Sequence, residues 1–353
     1  MRRSLLALTA AILLIVARVP LHADLLVYGL FGDYVDALRA QAGIPGLTAT
    51  IVGADDIIWE HPVGLQNIER NVVARADTPY QVDGLTQVFM TTVVLACVEN
   101  GSVTLDDPLS KFNPGNPDAG ATIRQILTHT SGPAGNLVFA YRPDRFNSLV
   151  DVISVCTNGS FRATLAAGLN RVAMFDSVPG LDAVGLIPPA DGISNQTIER
   201  YASALQRLAT PYAVDAQKRA TLSQYKTTTL TGGSGLITTA RDYAKFDLAL
   251  RTPPYLLRPE TLAAAWRPPV GAGGLLLPHG MGWFVQLYNG VPVIWQFGVS
   301  DNASSSLVVT VPSRQLTLIL MANSDGLVKS LPLAAGDVTV SPFAKVFLGT
   351  FVG

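Results

Sequence analysis

Charge is scarce in this chain. Asp, Glu, Lys and Arg make up 14% of its 353 residues, against roughly 25% in ordinary soluble domains. Lys and Arg (25 together) nearly balance Asp and Glu (26), which leaves a net charge of -1. No basic run stands out, so neither nucleic acid nor an anionic membrane surface is an expected partner. Histidine is rare too, with four in all. Beyond the N-terminal segment only His61, His129 and His279 remain, with no close His or Cys spacing of the kind that holds a metal. No metal and no cofactor are expected. Two cysteines, Cys97 and Cys156, cannot make a disulfide framework. No apolar run after the N-terminus reaches about 18 residues, so no later membrane span is expected.

What is present begins with a secretory pattern. Arg2 and Arg3 precede an apolar run from Ser4 to Ala17, which is short for a membrane span. Leu21-His-Ala23 offers a small residue before a cut, so residues 1–23 read as a signal peptide and the mature chain as starting at Asp24. An uncleaved N-terminal anchor is the alternative. Both place the body of the protein outside the cytoplasm, in the periplasm or secreted. An oxidising compartment permits a bridge between the cysteines. Cys97, however, falls on an apolar helical stripe, where a small unpaired core residue is the favoured reading.

That stripe belongs to the stretch around which the chain is organised. Apolar residues recur at Leu85, Val88, Phe89, Val93, Ala96 and Cys97, the spacing of a buried helix face. Asn100-Gly101 supplies a stop. Asp83 stands where an N-cap belongs, its carboxylate placed to accept the first free backbone N–H groups. Before this helix lie a short helix, Tyr34 to Gln41, and two strand-like runs, Leu47 to Val52 and Ile57 to Glu60. After it come helical patterns at Thr122–Leu127, Arg145–Cys156, Phe161–Val172, Thr197–Ala209 and Ala240–Leu250. Strand-like runs follow at Met281–Leu287, Val291–Trp295, Ser305–Val311 and Gln315–Ala322, with a last helix at Pro342–Phe351. This order predicts an α+β fold: residues 24–79 and 225–353 form one lobe with an antiparallel sheet, and residues 80–224 form an inserted, mostly helical lobe.

Several stretches together resemble one family. They are Gly43-Ile-Pro-Gly46, Thr78-Pro-Tyr80, Glu99-Asn-Gly-Ser-Val-Thr-Leu-Asp-Asp-Pro108, Leu127-Thr-His-Thr-Ser-Gly132, Gly232-Gly-Ser-Gly-Leu236, Ala240-Arg-Asp242 and Met281-Gly-Trp-Phe284. Their order and spacing, from about residue 31 to about residue 325, are similar to the serine β-lactamase-related family. That family includes class C β-lactamases, low-molecular-weight penicillin-binding proteins and related esterases. The resemblance implies a β-lactamase/transpeptidase-like fold, with terminal helices flanking the sheet and a cleft between two lobes. It also implies acyl transfer through a covalent serine.

The family's catalytic pattern is a Ser-x-x-Lys at the start of the key helix, a spacing that puts nucleophile and base on one helix face. The serine aligns with Gly84 and the lysine with Gln87. Glycine carries no nucleophile, and an amide is no base near neutral pH. Asp83, beside them, would repel a substrate carboxylate or a developing oxyanion. The family's Tyr-x-Asn aligns with Tyr141-Arg142-Pro143, which keeps the hydroxyl and loses the amide. Its Lys- or His-led triplet on an inner strand aligns with Gln296-Phe297-Gly298, where only the glycine is kept.

Loss of a serine nucleophile costs on the order of 10⁶ in turnover. The expected function is therefore a non-catalytic serine hydrolase homologue, with a binding or regulatory role and a small-molecule or peptidoglycan-like ligand in the cleft. The alternative is a serine-type hydrolase (esterase, β-lactamase or D-Ala-D-Ala peptidase-like) with a displaced nucleophile at Thr86, Ser131 or Ser234. None of these is flanked by a plausible base, and the chain has no Gly-x-Ser-x-Gly elbow. Arg241, Asp242 and His129 read as capping and loop residues, and Asp106-Asp107 as a turn.

Overall fold

The computed structural model describes residues 20–131, 137–186, 192–252 and 254–353. The signal segment lies almost wholly outside them. The chain enters as helix α1 (Pro20–Ala42), much longer than the expected Tyr34–Gln41. Its inner face explains the length: Phe31 and Val35 are buried, with Tyr28 and Leu38 packed beside them at helical spacing.

A seven-stranded sheet follows, built from both ends of the chain. Its strands are β1 (Gly46–Val52), β2 (Ile57–Asn67), β3 (Val72–Val73), β9 (Phe284–Tyr288), β10 (Val291–Ser300), β11 (Ser304–Val311) and β12 (Leu316–Ala322). The spatial order is β3-β2-β1-β12-β11-β10-β9, and every neighbour is antiparallel. The central strands do not alternate apolar with polar, because both faces of the sheet are covered. Leu318, Leu320 and Ala322 of β12 enter one core, and Ile319 and Met321 enter the other. The first core is closed by α1 and the C-terminal helix α9 (Pro342–Phe351), whose Phe343, Phe347 and Leu348 are buried. Within it Trp295 stacks on Phe284, centroids 4.2 Å apart.

The second core joins the sheet to the helices of the middle segment. Helix α2 (Thr86–Glu99) is buried along most of its length rather than on one stripe. Around it stand α3 (Ile123–Leu127), α4 (Val150–Thr157), α5 (Phe161–Arg171) and α6 (Asn195–Gln206), with α7 (Ala240–Arg251) against the sheet and α8 (Pro259–Ala265) beyond. Caps explain several starts: Thr122 and Gln125 form a capping box on α3, and Ser160, Ser194, Thr239 and Ser341 each accept an N–H at their own helix. Short pairings complete the frame. Strands β4 (Tyr80–Gln81), β5 (Val178–Pro179) and β8 (Leu236–Thr238) make a small sheet in the order β4-β8-β5, and β6 (Tyr212–Val214) pairs with β7 (Ala220–Leu222). Among the described residues no helix is long and apolar enough to cross a membrane.

The cysteine expectation is overturned. Cys97 of α2 and Cys156 of α4 are bonded, with Cα atoms 6.0 Å apart. Cys97 is buried, as its place on the apolar stripe implies, and the packing of α4 on α2 brings the second thiol to it. The bridge spans 59 residues of sequence and limits the freedom of the unfolded chain. The protein unfolded without reductant should show no thiol reactive to Ellman's reagent. Replacing both cysteines with alanine should lower its stability in urea by about 2–4 kcal/mol.

Candidate active-site cleft

Strand β4 delivers the chain into the key helix. Val82 donates its N–H to Leu236 O of β8 (2.9 Å) and accepts from Ser306 Oγ of β11 (3.0 Å). A single tight turn, Asp83–Leu85, then leads into α2. Asp83 does not cap it. Neither the turn nor α2 has a side-chain cap, and Asp83 sits in the left-handed region at φ 39°. That conformation, unusual for a non-glycine residue, turns its carboxyl away from the free N–H groups. The carboxyl instead accepts from Ser304 Oγ (3.3 Å) and Gln81 Nε2 (3.4 Å), in a site only 4% exposed. Burial without a cationic partner pushes its pKa up to about 7; the Ser304 hydrogen bond opposes this shift and the nearby Asp301 charge adds to it.

Gly84 meets β10 at very close range. A Cβ built on it would stand 2.4 Å from Phe297 O and 3.2 Å from Gly298 Cα. The contact is mutual: a Cβ on Gly298 would stand 2.0 Å from Val82 O and 2.8 Å from Gly84 N. The helix start and the strand are thus packed backbone to backbone at two facing glycines.

Three other aligned positions are brought together in one hydrogen-bonded chain. Gln87 Nε2 donates to Gly84 O (3.0 Å) and to Tyr141 Oη (2.9 Å). Tyr141 donates onward to Gln296 Oε1 (3.2 Å), which also accepts from Phe297 N (2.9 Å). Gln296 Nε2 reaches Gly282 O (3.1 Å) and His279 Nε2 (3.4 Å). Burial pushes the tyrosine hydroxyl well above its ordinary pKa, with the Gln87 hydrogen bond opposing. Burial also takes His279 down to about 3, against its bond to Gly280 O, so the imidazole is neutral. Every member of the chain is therefore uncharged near pH 7. Pro143, the fourth position, opens the turn Pro143–Leu149 behind Tyr141 and donates nothing.

His129 and His279 were not assigned to this place from sequence. His129 Nδ1 accepts from Arg142 N (3.1 Å), its ring lies 4.7 Å from Tyr141 and 4.6 Å from His279, and its Nε2 is buried without a partner among the described residues. It holds the loop that presents Tyr141. The link from His279 to Gln296, 17 residues apart, arises only from the folding of β9 and β10 beside each other.

The displaced-nucleophile candidates lack a base. Thr86 is fully buried and accepts from Leu236 N (3.3 Å). Ser234 Oγ bonds Thr231 Oγ1 (3.0 Å). Ser131 is held through its carbonyl by Arg145. Among the described residues none of their hydroxyls meets an imidazole, amine or carboxylate. Arg241 pairs with Glu60, Asp242 accepts from Asp176 N and Ser177 Oγ, Arg124 binds Asp106, and Thr104 N caps onto Asp107; these are frame contacts. No group of three or more His, Cys, Asp or Glu that could hold a metal occurs among the described residues.

Over this arrangement lies an open cleft of about 360 Å³. The helix start (Asp83, Gly84) forms its floor with Phe297–Asp301, and Tyr141, Lys226 and Ser234 are on its walls.

A model of the family described as Beta-lactamase matches residues 31–158 and 178–338. Among curated proteins, penicillin-binding protein 4 of Amycolatopsis lactamdurans is 32% identical over 107 residues, 29% of this chain and 28% of that one. Protein flp of Staphylococcus aureus (strain NCTC 8325 / PS 47) is 28% identical over 95 residues, 25% of this chain and 19% of that one. These matches span about a quarter or less of either relative. Among solved structures, an octameric penicillin-binding protein homologue from Pyrococcus abyssi superposes with a TM-score of 0.73 at 17% identity, covering 91% of this chain and 77% of that one. A class C beta lactamase from Rhodobacter sphaeroides gives 0.69 at 14% identity, covering 92% and 99%. At such identities the likeness is one of fold, and it agrees with the expected β-lactamase/transpeptidase-like α+β architecture.

The close contact at Gly84 gives a stability test. Gly84→Ala should lower stability by about 1–3 kcal/mol through overpacking against Phe297 O, whereas Gly168→Ala, mid-helix with open space around it, should raise it by about 0.5–1 kcal/mol. Asp83 gives a pH test. Its pKa is higher folded than unfolded, so between about 4 and 7 the folded state binds more protons and loses stability as pH rises. Asp83→Asn should gain on the parent in urea denaturation from about pH 5 to about pH 7, and the gap should stay level above that.

Proposed function

Because this chain belongs to the Beta-lactamase family, we propose that it is an exported, non-catalytic member whose cleft serves binding or regulation rather than acyl transfer. One observation carries this reading. At the helix start that aligns with the family's nucleophile there is no side chain, and Phe297 O occupies the space where a Cβ would lie. The residue aligned with the base, Gln87, is an amide already committed to Gly84 O and Tyr141 Oη. Tyr141 leads on to a neutral glutamine and a neutral histidine, so no member of this hydrogen-bonded run from Gln87 to His279 is poised to take a proton from a nucleophile near neutral pH.

Export fits the Cys97–Cys156 bridge, since such bonds persist in oxidising compartments, and fits the Arg2-Arg3 and Ser4–Ala17 pattern. The name of the Amycolatopsis lactamdurans relative, penicillin-binding protein 4, supports a small-molecule or peptidoglycan-like ligand for the cleft. Among the described residues no base stands beside Thr86, Ser131 or Ser234 to support a hydrolase working through one of them.

The purified chain should hydrolyse neither a chromogenic cephalosporin nor p-nitrophenyl esters above an empty-vector control. A fluorophosphonate probe should leave it unlabelled while labelling an active family esterase. Turnover on the order of 10⁶ below that enzyme is expected; labelling of any serine or threonine would overturn the reading. The double substitution Gly84→Ser with Gln87→Lys should not restore acylation, because the new Cβ has no room against β10.

A further inference from the structure

Along α2 beyond the cleft lies a second cavity, apolar and about 60 Å³ in volume. It is lined by Phe89 and Val93 of α2, by Leu165, Gly168 and Leu169 of α5, and by Phe246 of α7. Both hydroxyls on its lining are engaged: Thr92 Oγ1 donates to Val88 O (2.8 Å), and Thr164 Oγ1 bonds Thr157 Oγ1 (3.0 Å). A buried water is held by two to four polar partners, and the other lining side chains are apolar. Gly168 leaves the space open. It stands mid-helix, where glycine weakens α5, yet a Cβ built on it would meet nothing within 4 Å. No neighbouring backbone demands a glycine here. Gly168 and Thr164 are only half-buried, so the cavity opens to solvent beside them.

Charge stands beside this opening. Arg171 is the last residue of α5, about 4.5 Å along the axis from Gly168, and residues three apart are neighbours on a helix surface. Its Nη2 donates to Tyr255 O (3.0 Å), and its guanidinium lies over the Tyr255 ring, 5.4 Å from the centroid. Tyr255 immediately precedes Leu256, which lines the cavity. Arg171 is exposed and has no acidic partner among the described residues. A guanidinium carries five N–H donors in a fork that fits a carboxylate, and a single protein acceptor meets it here.

We propose that this cavity takes the methyl end of a straight-chain alkyl carboxylate whose head is held by Arg171. The site is separate from the cleft and does not depend on the non-catalytic reading. Volume sets the shape of the ligand. A cavity of about 150 Å³ holds benzene and a water takes about 30 Å³, so this one admits the last few carbons of a chain and excludes a ring. The remaining carbons run along α5 towards Arg171, where the carboxylate completes the guanidinium's bonds. Titration calorimetry of the full chain with butanoate, hexanoate, benzoate, hexylammonium and 1-hexanol tests this. Hexanoate should bind saturably at one site, roughly fourfold tighter for each CH₂ added from butanoate. Benzoate has the wrong shape and hexylammonium the wrong charge. Neither should give saturable heat at concentrations that saturate hexanoate.

Two substitutions separate chain from head. Gly168→Leu puts a side chain into the cavity and should abolish binding of hexanoate and 1-hexanol alike. Arg171→Gln should weaken hexanoate by roughly tenfold and leave 1-hexanol, which carries the chain without the charge, unchanged. Should Gly168→Leu fail to fold, Gly168→Ala decides: its one methyl group displaces about one CH₂ and should weaken hexanoate by roughly fourfold. Silence with hexanoate, equal binding of hexylammonium or benzoate, or hexanoate binding indifferent to the Gly168 substitutions would each overturn the proposal. Carboxylate binding in the cleft beside Lys226 is one way to the last result, since it would survive any change at Gly168.

Discussion

The cleft depends on one contact, the backbone-to-backbone docking of a helix start on an inner strand. Val82 is tied to β8 by its N–H and to β11 by Ser306, and Gly84 and Gly298 then face each other with no room for a Cβ on either side. Packing this close needs two residues without side chains, and it trades whatever chemistry a side chain at 84 would bring for a tight seam between helix and sheet. It also sets where Gln87 points: one turn along α2, the amide is bound to Gly84 O.

From that seam a second property follows. Gln87, Tyr141, Gln296 and His279 form a continuous chain of hydrogen bonds between neutral groups, with Gln87 Oε1 left buried and without a partner among the described residues. A lysine and a cationic or imidazole partner at the same places would carry charge into the same volume, and charge there requires counter-charge. Among the described residues, Asp242, Asp247 and Asp325 are buried beside cationic partners, whereas no ion pair holds the buried Asp83. Its backbone is left-handed and its side chain does not cap the helix, and burial pushes its pKa up to about 7. The site combines a chemically quiet interior with an acidic floor open to the cleft.

Much of the fold could be read along the chain because its elements carry local signals. The C-terminal helix matches its expected bounds, Pro342–Phe351, where Ser341 and Pro342 mark the start. Thr122 announces α3 by a capping box. The strand-like run expected at Val291–Trp295 continues in β10 to Ser300 and so carries Gln296-Phe297-Gly298 inside the sheet. Helix α1 begins well before the expected Tyr34, across Gly29 and Gly32, which weaken the local helical pattern. The tertiary contact of Gly32 with the His61 ring, where a Cβ would come within 3.2 Å, shows why a small residue stands there.

By itself the sequence determined residue chemistry: no side chain at 84, an amide at 87, a proline at 143, an amide at 296, and the order of motifs that marks the family. Those facts are covalent, and no folding alters them. Spatial neighbours were decided only by the tertiary structure, because they join segments far apart in sequence. Cys156 reaches Cys97, His279 reaches Gln296, and Ser304 and Asp301 come to Asp83. Asp83 shows the division most sharply. Its carboxylate and its place before a helix suggest a cap, yet a positive φ and the close approach of β10 turn it into a buried acid on the floor of the cleft.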